Sequence, residues 1–235
     1  ERGEIGMHLT VLGNVTVNSN SYVWGDNCGY TWDNPGPGAG SAGANYAGGG
    51  GYGGAGGHGA QSLATGGPVY GSVFQPTDLG SAGAGDPDQG NTGGAGGGAI
   101  RLTVGGTLTI NGSVQTNGQN GSVESGGGSG GSVWITAGTI AGTGFVDAIG
   151  GNADGWNGGT GGGGRIALHY NTLTLPVANI RAYGGTAVTS SNNAAAGTIF
   201  LQQGSARGTI YIDNGLRRAY EITGFPGVQV LDAHM

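Results

Sequence analysis

The sequence predicts an all-β fold, a right-handed parallel β-helix (β-solenoid) with glycine-rich, polyglycine-II-like loops packed alongside. Three observations carry the prediction: a repeat of constant length, apolar residues that alternate within each repeat, and a Gly-Gly or Asn-Gly pair near each repeat's end. "AIRLTVGGTLTINGSVQTNG", "SVWITAGTIAGTGFVDAIGG", "RIALHYNTLTLPVANIRAYGG" and "TIFLQQGSARGTIYIDNG" start at Ala99, Ser132, Arg165 and Thr198, at equal intervals along the chain.

The first strand of each unit aligns Ile100, Val133, Ile166 and Ile199 in one column and Leu102, Ile135, Leu168 and Leu201 in a second. Alternation of this kind describes a strand with one buried face. A second strand, after a short turn, carries Leu108 and Ile110, Ile140, Leu173 and Leu175, and Ile210 and Ile212. A third, shorter one carries Val114, Val146 and Ile180. The closing pairs are Asn117-Gly118, Gly150-Gly151, Gly184-Gly185 and Asn214-Gly215, and such pairs suit corners because they reach positive φ cheaply. An earlier coil begins at Met7, where Leu9, Val11, Val15 and Val17 match Leu102, Val104, Leu108 and Ile110. Residues 1–235 thus read as a single β-solenoid domain with coils starting near 7, 99, 132, 165 and 198. An antiparallel sandwich is the competing fold, since Asn-Gly also marks hairpins; the strict period favours the solenoid.

Residues 31–98 form a glycine-rich insertion between the first two coils. A flexible linker is one reading of such composition. The other is a bundle of extended, three-residue-per-turn glycine helices that pack closely because glycine has no side chain. Tyr46, Tyr52, Leu63, Val69, Tyr70, Val73, Phe74 and Leu79 punctuate the glycine; a spacer has no need of them, so order is the expectation. The glycine runs Ser125–Gly131 and Gly158–Gly164 would join the same layer.

These motifs carry a resemblance. "GPGAGSAG", "YGSVFQPTDLGSAG", "GGAGGGAIRLTVGGTLTINGSVQTNG", "GGGSGGSVWITAGTIAGTG" and "GGGGRIALHY", spread over Gly25 to Gly215, resemble the glycine-rich repeat modules of very large bacterial secreted or cell-surface, adhesin-like proteins. The resemblance implies exposure at a surface and adhesion, and no particular reaction. "WGDNCGYTWDNPGPG" departs from the simpler glycine-rich lead-in expected there.

Composition narrows the function classes. The seven basic residues are all arginine and are scattered apart from Arg217-Arg218, so neither a nucleic-acid stripe nor a polybasic membrane patch is present. The net charge of -6 argues the same way. No apolar run reaches the roughly 18 residues of a spanning helix. Cys28 is the single cysteine, which excludes an internal disulfide. The chain opens at Glu1 with no leader pattern, as expected of a piece of something longer.

Catalysis on such a scaffold needs carboxylates converging on one face. Asp26 with Asp33, Asp86 with Asp88, and Asp147 with Asp154 are the candidate pairs, and each lies beside Gly, Asn or Pro, where aspartate is also a turn former. "GDPDQGN" and "GNADGWNGG" concentrate oxygen ligands, which makes Asp86, Asp88 and Asp154 the candidates for calcium; no other cofactor is expected. His8, His58, His169 and His234 lack metal-ligand spacing. Tyr22, Trp24, Tyr30, Trp32 and Trp156 are the candidate ligand-binding residues, because exposed rings stack on sugars or pack against proteins; the same rings would equally plug the glycine layer.

The expected function is therefore a noncatalytic extracellular or cell-surface module, structural or adhesive, in a larger protein or filament, with neighbouring modules, a second copy or carbohydrate as partners. Polysaccharide binding or degradation is the alternative. Ice binding is a more distant one: Thr103, Thr136, Thr107 and Thr139 supply threonine columns, which His169 and Asn171 would interrupt.

Overall fold

The computed structural model describes residues 6–43, 46–60, 63–85, 90–153, 157–187 and 192–219. It is all-β. Seven strands form one sheet: β1 (Met7–Val11), β2 (Val15–Val17), β6 (Ala99–Ile110), β8 (Ser132–Ala141), β10 (Arg165–Leu173), β12 (Thr198–Gln203) and β13 (Thr209–Tyr211). A second sheet holds β3 (Tyr22–Trp24), β7 (Ser113–Gln115), β9 (Phe145–Asp147) and β11 (Ile180–Arg181), all parallel. A short antiparallel pair joins β4 (Ala42–Gly43) to β5 (Tyr46–Ala47).

Pairing follows the sequence repeat. Ile100, Val133, Ile166 and Ile199 are register partners, as are Leu102, Ile135, Leu168 and Leu201. Met7, Leu9 and Val11 pair with Ile100, Leu102 and Val104, and Val15 and Val17 with Leu108 and Ile110. In the second sheet Val23, Val114, Val146 and Ile180 share one row. Apart from Met7, Leu9 and Val11, which lie outside it, these columns face one another across one core, in which Ile135, Ile140, Val146, Ile166 and Leu168 are fully buried. A slip of one residue would turn each column outward, so burial fixes the register.

Three expectations need correcting. The expected turn between first and second strands separates β1 from β2 at residues 12–14, but in the repeats starting at Ala99, Ser132 and Arg165 it is instead a bend inside one continuous strand: buried positions step from Ala137 to Ile140, and β6 accommodates an extra residue between Val104 and Thr107. The fourth unit does not repeat its predecessors, because β13 folds back antiparallel on β12, pairing Ile210 with Phe200. Finally, positive φ occurs at Gly215 but not at Gly118, Gly150, Gly151, Gly184 or Gly185. There the glycine permits close approach: a Cβ on Gly118 would lie 2.1 Å from the Gly128 carbonyl oxygen. The asparagines act through their side chains. Asn117 Oδ1 accepts the Ile149 amide at 2.8 Å, and Asn214 Oδ1 the Gly184 amide at 2.7 Å, each bonding one repeat to another.

The glycine segments are hydrogen-bonded to one another. Gly126, Gly127 and Gly128 donate to the carbonyls of Ala84, Gly159 and Gln119; the next three residues repeat the cycle onto Ser81, Gly162 and Thr116, all at 2.7 to 3.0 Å. The carbonyls of Gly126, Gly127 and Gly128 accept from Gly94, Gly50 and Gly151. Residues 159–164 show the same cycle, donating to Ala47, Asn192 and Gly151 and then to Gly50, Ala195 and Ala148. An extended chain with three residues per turn sends successive N–H groups in three directions, which accounts for the period. Once per repeat the layer is tied to the strand stack: Gly98, Gly131, Gly164 and Gly197 donate to Gly25, Thr116, Ala148 and Ala182, each at 2.7 Å.

Candidate functional site

The outer face of the four-stranded sheet gathers the most chemistry. Because Val23, Val114, Val146 and Ile180 point inward, alternation turns Tyr22 and Trp24, Ser113 and Gln115, Phe145 and Asp147, and Arg181 outward. Register sets Tyr22, Ser113 and Phe145 in one row and Trp24, Gln115, Asp147 and Arg181 in the next. Tyr22 and Trp24 are 63% and 61% exposed, open enough to meet a ligand ring-on.

On the far side of β7 from them, Arg181 grips Asp147 with two hydrogen bonds, Nε to Oδ1 at 2.7 Å and Nη2 to Oδ2 at 2.6 Å, while its guanidinium lies 4.2 Å from the centre of the Phe145 ring. Burial pushes the Asp147 carboxyl above the usual carboxylate range; the hydrogen bond and charge of Arg181 oppose this, and Asp26 adds repulsion in the same direction as burial. The pairing also raises Arg181. Asp26 is itself occupied: Oδ1 accepts the Asn117 amide at 2.6 Å, and Oδ2 accepts Gln115 Nε2 at 2.9 Å. Both carboxylates are thus held in structural hydrogen bonds, as turn and ladder groups are.

The aromatic candidates do not form one platform. Tyr30 belongs to the glycine layer, where its amide donates to Gly80 and its carbonyl accepts from Gly96. Trp32, 57% exposed, lines a separate depression of about 260 Å³ with Pro35, Ala42, Ala84 and Asn91. Trp156 lies outside the described residues, as do the calcium candidates Asp86, Asp88 and Asp154. Among the described residues no group of three His, Cys, Asp or Glu is placed to hold a metal. Asp33 accepts a hydrogen bond from the Thr31 hydroxyl, and Cys28 is exposed.

A shallow groove of about 370 Å³ crosses β6, β8 and β10 on the larger sheet, lined by Thr103, Thr136, His169, Tyr170 and Asn171 among others. Thr10, Thr103 and Thr136 form one threonine column, which His169 ends. Its ring is committed: Nδ1 meets Gln202 Oε1 at 2.9 Å and Nε2 the Phe74 carbonyl at 3.1 Å. Asn171 interrupts nothing, because the strand bends there and Thr107, Thr139 and Thr172 stand in register past it.

Sequence reasoning missed the most buried polar cluster. Arg165 is fully buried, and its guanidinium donates to the Tyr70 carbonyl at 2.7 and 2.9 Å, to Thr198 Oγ1 at 3.1 Å and to the Tyr52 carbonyl at 3.4 Å. Burial lowers its pKa, against the nearby Tyr52, Asp78 and Tyr70. Tyr52 hydroxyl meets Ser132 Oγ at 2.6 Å, and Ser132 Oγ donates to the Asp78 carbonyl at 2.6 Å. Burial pushes both tyrosines well above their usual range. Largely buried, the cluster holds Tyr52, Tyr70 and Asp78 to the strand starts. The available signal was positional: Arg165 occupies the polar register site of Ser132 and Thr198.

Compared with known proteins, the chain matches no family model, and neither a curated protein nor a solved structure matches it.

Proposed function

We propose that the chain is a right-handed parallel β-helix backed by a polyglycine-II bundle, serving as a noncatalytic structural or adhesive module of a larger extracellular or cell-surface protein. The observation that carries this reading is the period-three hydrogen bonding around residues 126–131, which meets six neighbouring segments. Such a layer, bonded once per repeat to register-locked strands, resists bending and shear, as a load-bearing module must. Force spectroscopy of the chain, fused in tandem between domains of known unfolding force, tests it. A single high-force rupture is expected. Stepwise unravelling of residues 35–98 at low force would overturn it, as would rapid amide exchange at Gly127 and Gly162.

The exposure of Tyr22 and Trp24 on the same sheet face as the Asp147–Arg181 pair, with β7 between them, favours polysaccharide as the ligand of the adhesive reading, because rings and fixed hydrogen-bonding groups together recognise sugars. Binding to immobilised polysaccharides should then fall at least about tenfold in Trp24→Ala. Release of reducing ends or unsaturated products, abolished in Asp147→Asn, would instead make the chain an enzyme.

A further inference from the structure

Residues 71–77 cross the outer face of the larger sheet as a strap. Its ends are pinned, because Arg165 holds the Tyr70 carbonyl and Ser132 the Asp78 carbonyl. Val73 packs with Ala167 and Phe200 in a small buried cluster, and the Phe74 ring meets that of Phe200 edge-on at 4.8 Å. Between the pinned ends, among the described residues, a single hydrogen bond leaves the strap: the Phe74 carbonyl faces His169 Nε2 at 3.1 Å. The other ring nitrogen faces an acceptor too. Gln202 Nε2 donates to the Ala206 carbonyl at 3.0 Å, which turns Oε1 toward His169 Nδ1, 2.9 Å away. A neutral imidazole has one N–H and can serve one of these acceptors, whereas the imidazolium serves both.

We propose that His169 is a pH-sensitive latch for this strap, closed by the imidazolium and loosened when the ring gives up a proton. The neutral ring leaves either the Phe74 carbonyl or Gln202 Oε1 against a bare nitrogen, and an acceptor without its donor weakens the contact. Around the imidazole stand Trp134 of β8 and Phe200 of β12, with ring centroids at 6.4 and 5.7 Å, and Tyr170 follows it on its own strand. The charged groups nearby are Arg101 of β6, stacked 3.9 Å from the centre of the Trp134 ring, Asp78 at the strap's end, and Arg207 in the loop after β12. None of them bonds to His169. The closed strap binds a proton that the open one does not need. Its contribution is therefore complete below the ordinary imidazole range, near about pH 6.5, and is lost as pH rises through and beyond it. Opening uncovers Val73, Ala167 and Phe200, an apolar patch that acid keeps shielded.

Urea denaturation of the full chain and of His169→Gln between about pH 5 and about pH 8 is the test. The unfolding constant of the variant should exceed that of the unaltered protein roughly tenfold at the acid end and less than about threefold at the other. His8, His58 and His234 titrate in both proteins and cancel in the ratio. Gln202→Leu separates a latch from an ordinary hydrogen bond: with one acceptor left the neutral ring suffices, so in that background the ratio should no longer depend on pH. If His169→Gln fails to fold, amide relaxation of the unaltered protein decides, and Val73 to Gln75 should become more ordered as pH falls. A ratio that is constant or grows with pH overturns the proposal. So does a pH dependence that survives Gln202→Leu, or a strap whose order does not rise in acid.

Discussion

The strand stack and the glycine layer solve the same problem in opposite ways. In the stack, position is specified by what side chains are: Ile, Val and Leu recur at fixed offsets, and burial penalises any other register. In the layer, position is specified by what is missing: a Cβ on Gly161 would lie 1.9 Å from the Gly128 carbonyl oxygen, and one on Gly126 2.0 Å from that of Gly48. Backbone hydrogen bonds run through both, but hydrophobic burial adds to them in the first, whereas the second has little side chain to bury. The stack should therefore tolerate conservative side-chain change and the layer almost none.

The largest effect is expected where the layer leaves no room for a side chain. Gly161→Ala forces a methyl into the space of the Gly128 carbonyl and separates segments that bond on several sides, so a loss above about 4 kcal/mol is expected. Gly13→Ala, with nothing within 4 Å of the added atom, should change stability by less than about 0.5 kcal/mol. Chemical denaturation of both variants measures the difference; equal costs would end the distinction between structural and incidental glycine.

The stack breaks by a different route. Ile135→Ala removes three carbons from a fully buried column and should cost about 2–5 kcal/mol, whereas Ile135→Val should cost about 1 kcal/mol. Graded loss of this kind has no counterpart in the layer, where the smallest possible side chain already fails.

The same contrast explains what was legible in the sequence. The columns through Ile100 and Leu102 could be read by aligning the chain with itself, because their side chains carry the register. The partners of Gly126 could not: glycine announces close packing, but nothing in a run of glycines says which neighbour accepts each amide. The asparagine ladder was half visible, since Asn117-Gly118 marked a corner while the bond from Asn117 to Ile149 depends on a partner in another repeat. The Arg165 clamp was hidden for a similar reason. An arginine at a strand start looks solvated until Tyr52 and Tyr70, far earlier in the chain, are folded over it. On the candidate face, Tyr22 and Trp24 were visible as aromatics, but Asp147 found its partner Arg181 only through the pairing of β9 with β11.

That pair offers a pH-resolved test of the stack's outer face. Arg181→Met leaves a mostly buried carboxylate without its counter-charge and should cost about 2 kcal/mol at neutral pH, less than a fully buried pair because Arg181 is partly exposed. Asp147→Asn should cost less, since water can reach the remaining guanidinium. Burial already holds the Asp147 carboxyl above its unfolded value, and losing Arg181 raises it further. Between those two values the folded state binds a proton that the unfolded chain does not. The deficit of Arg181→Met is therefore greatest above that window and shrinks as pH falls through it. Urea denaturation at several pH values reads this directly; a deficit that grows on acidification would mean that Asp147 is not the group responsible.

The smallest effect falls at the seam between the two regions. Asn117→Ala removes the acceptor for the Ile149 amide and a long contact to Asp26. One partly buried hydrogen bond is worth about 1 kcal/mol, which in a chain of this size lowers Tm by about 2–4 °C. Asn120→Ala deletes the equivalent bond to the Asn152 amide at an exposed position, where water replaces the lost acceptor, so its Tm should fall by less. Placing the two variants side by side in a thermal melt tests whether the ladder gains strength from the shelter of the layer. If Asn120→Ala costs as much as Asn117→Ala, the ladder acts alone, and the ends of the repeats owe their order to side chains and not to the glycine packed against them.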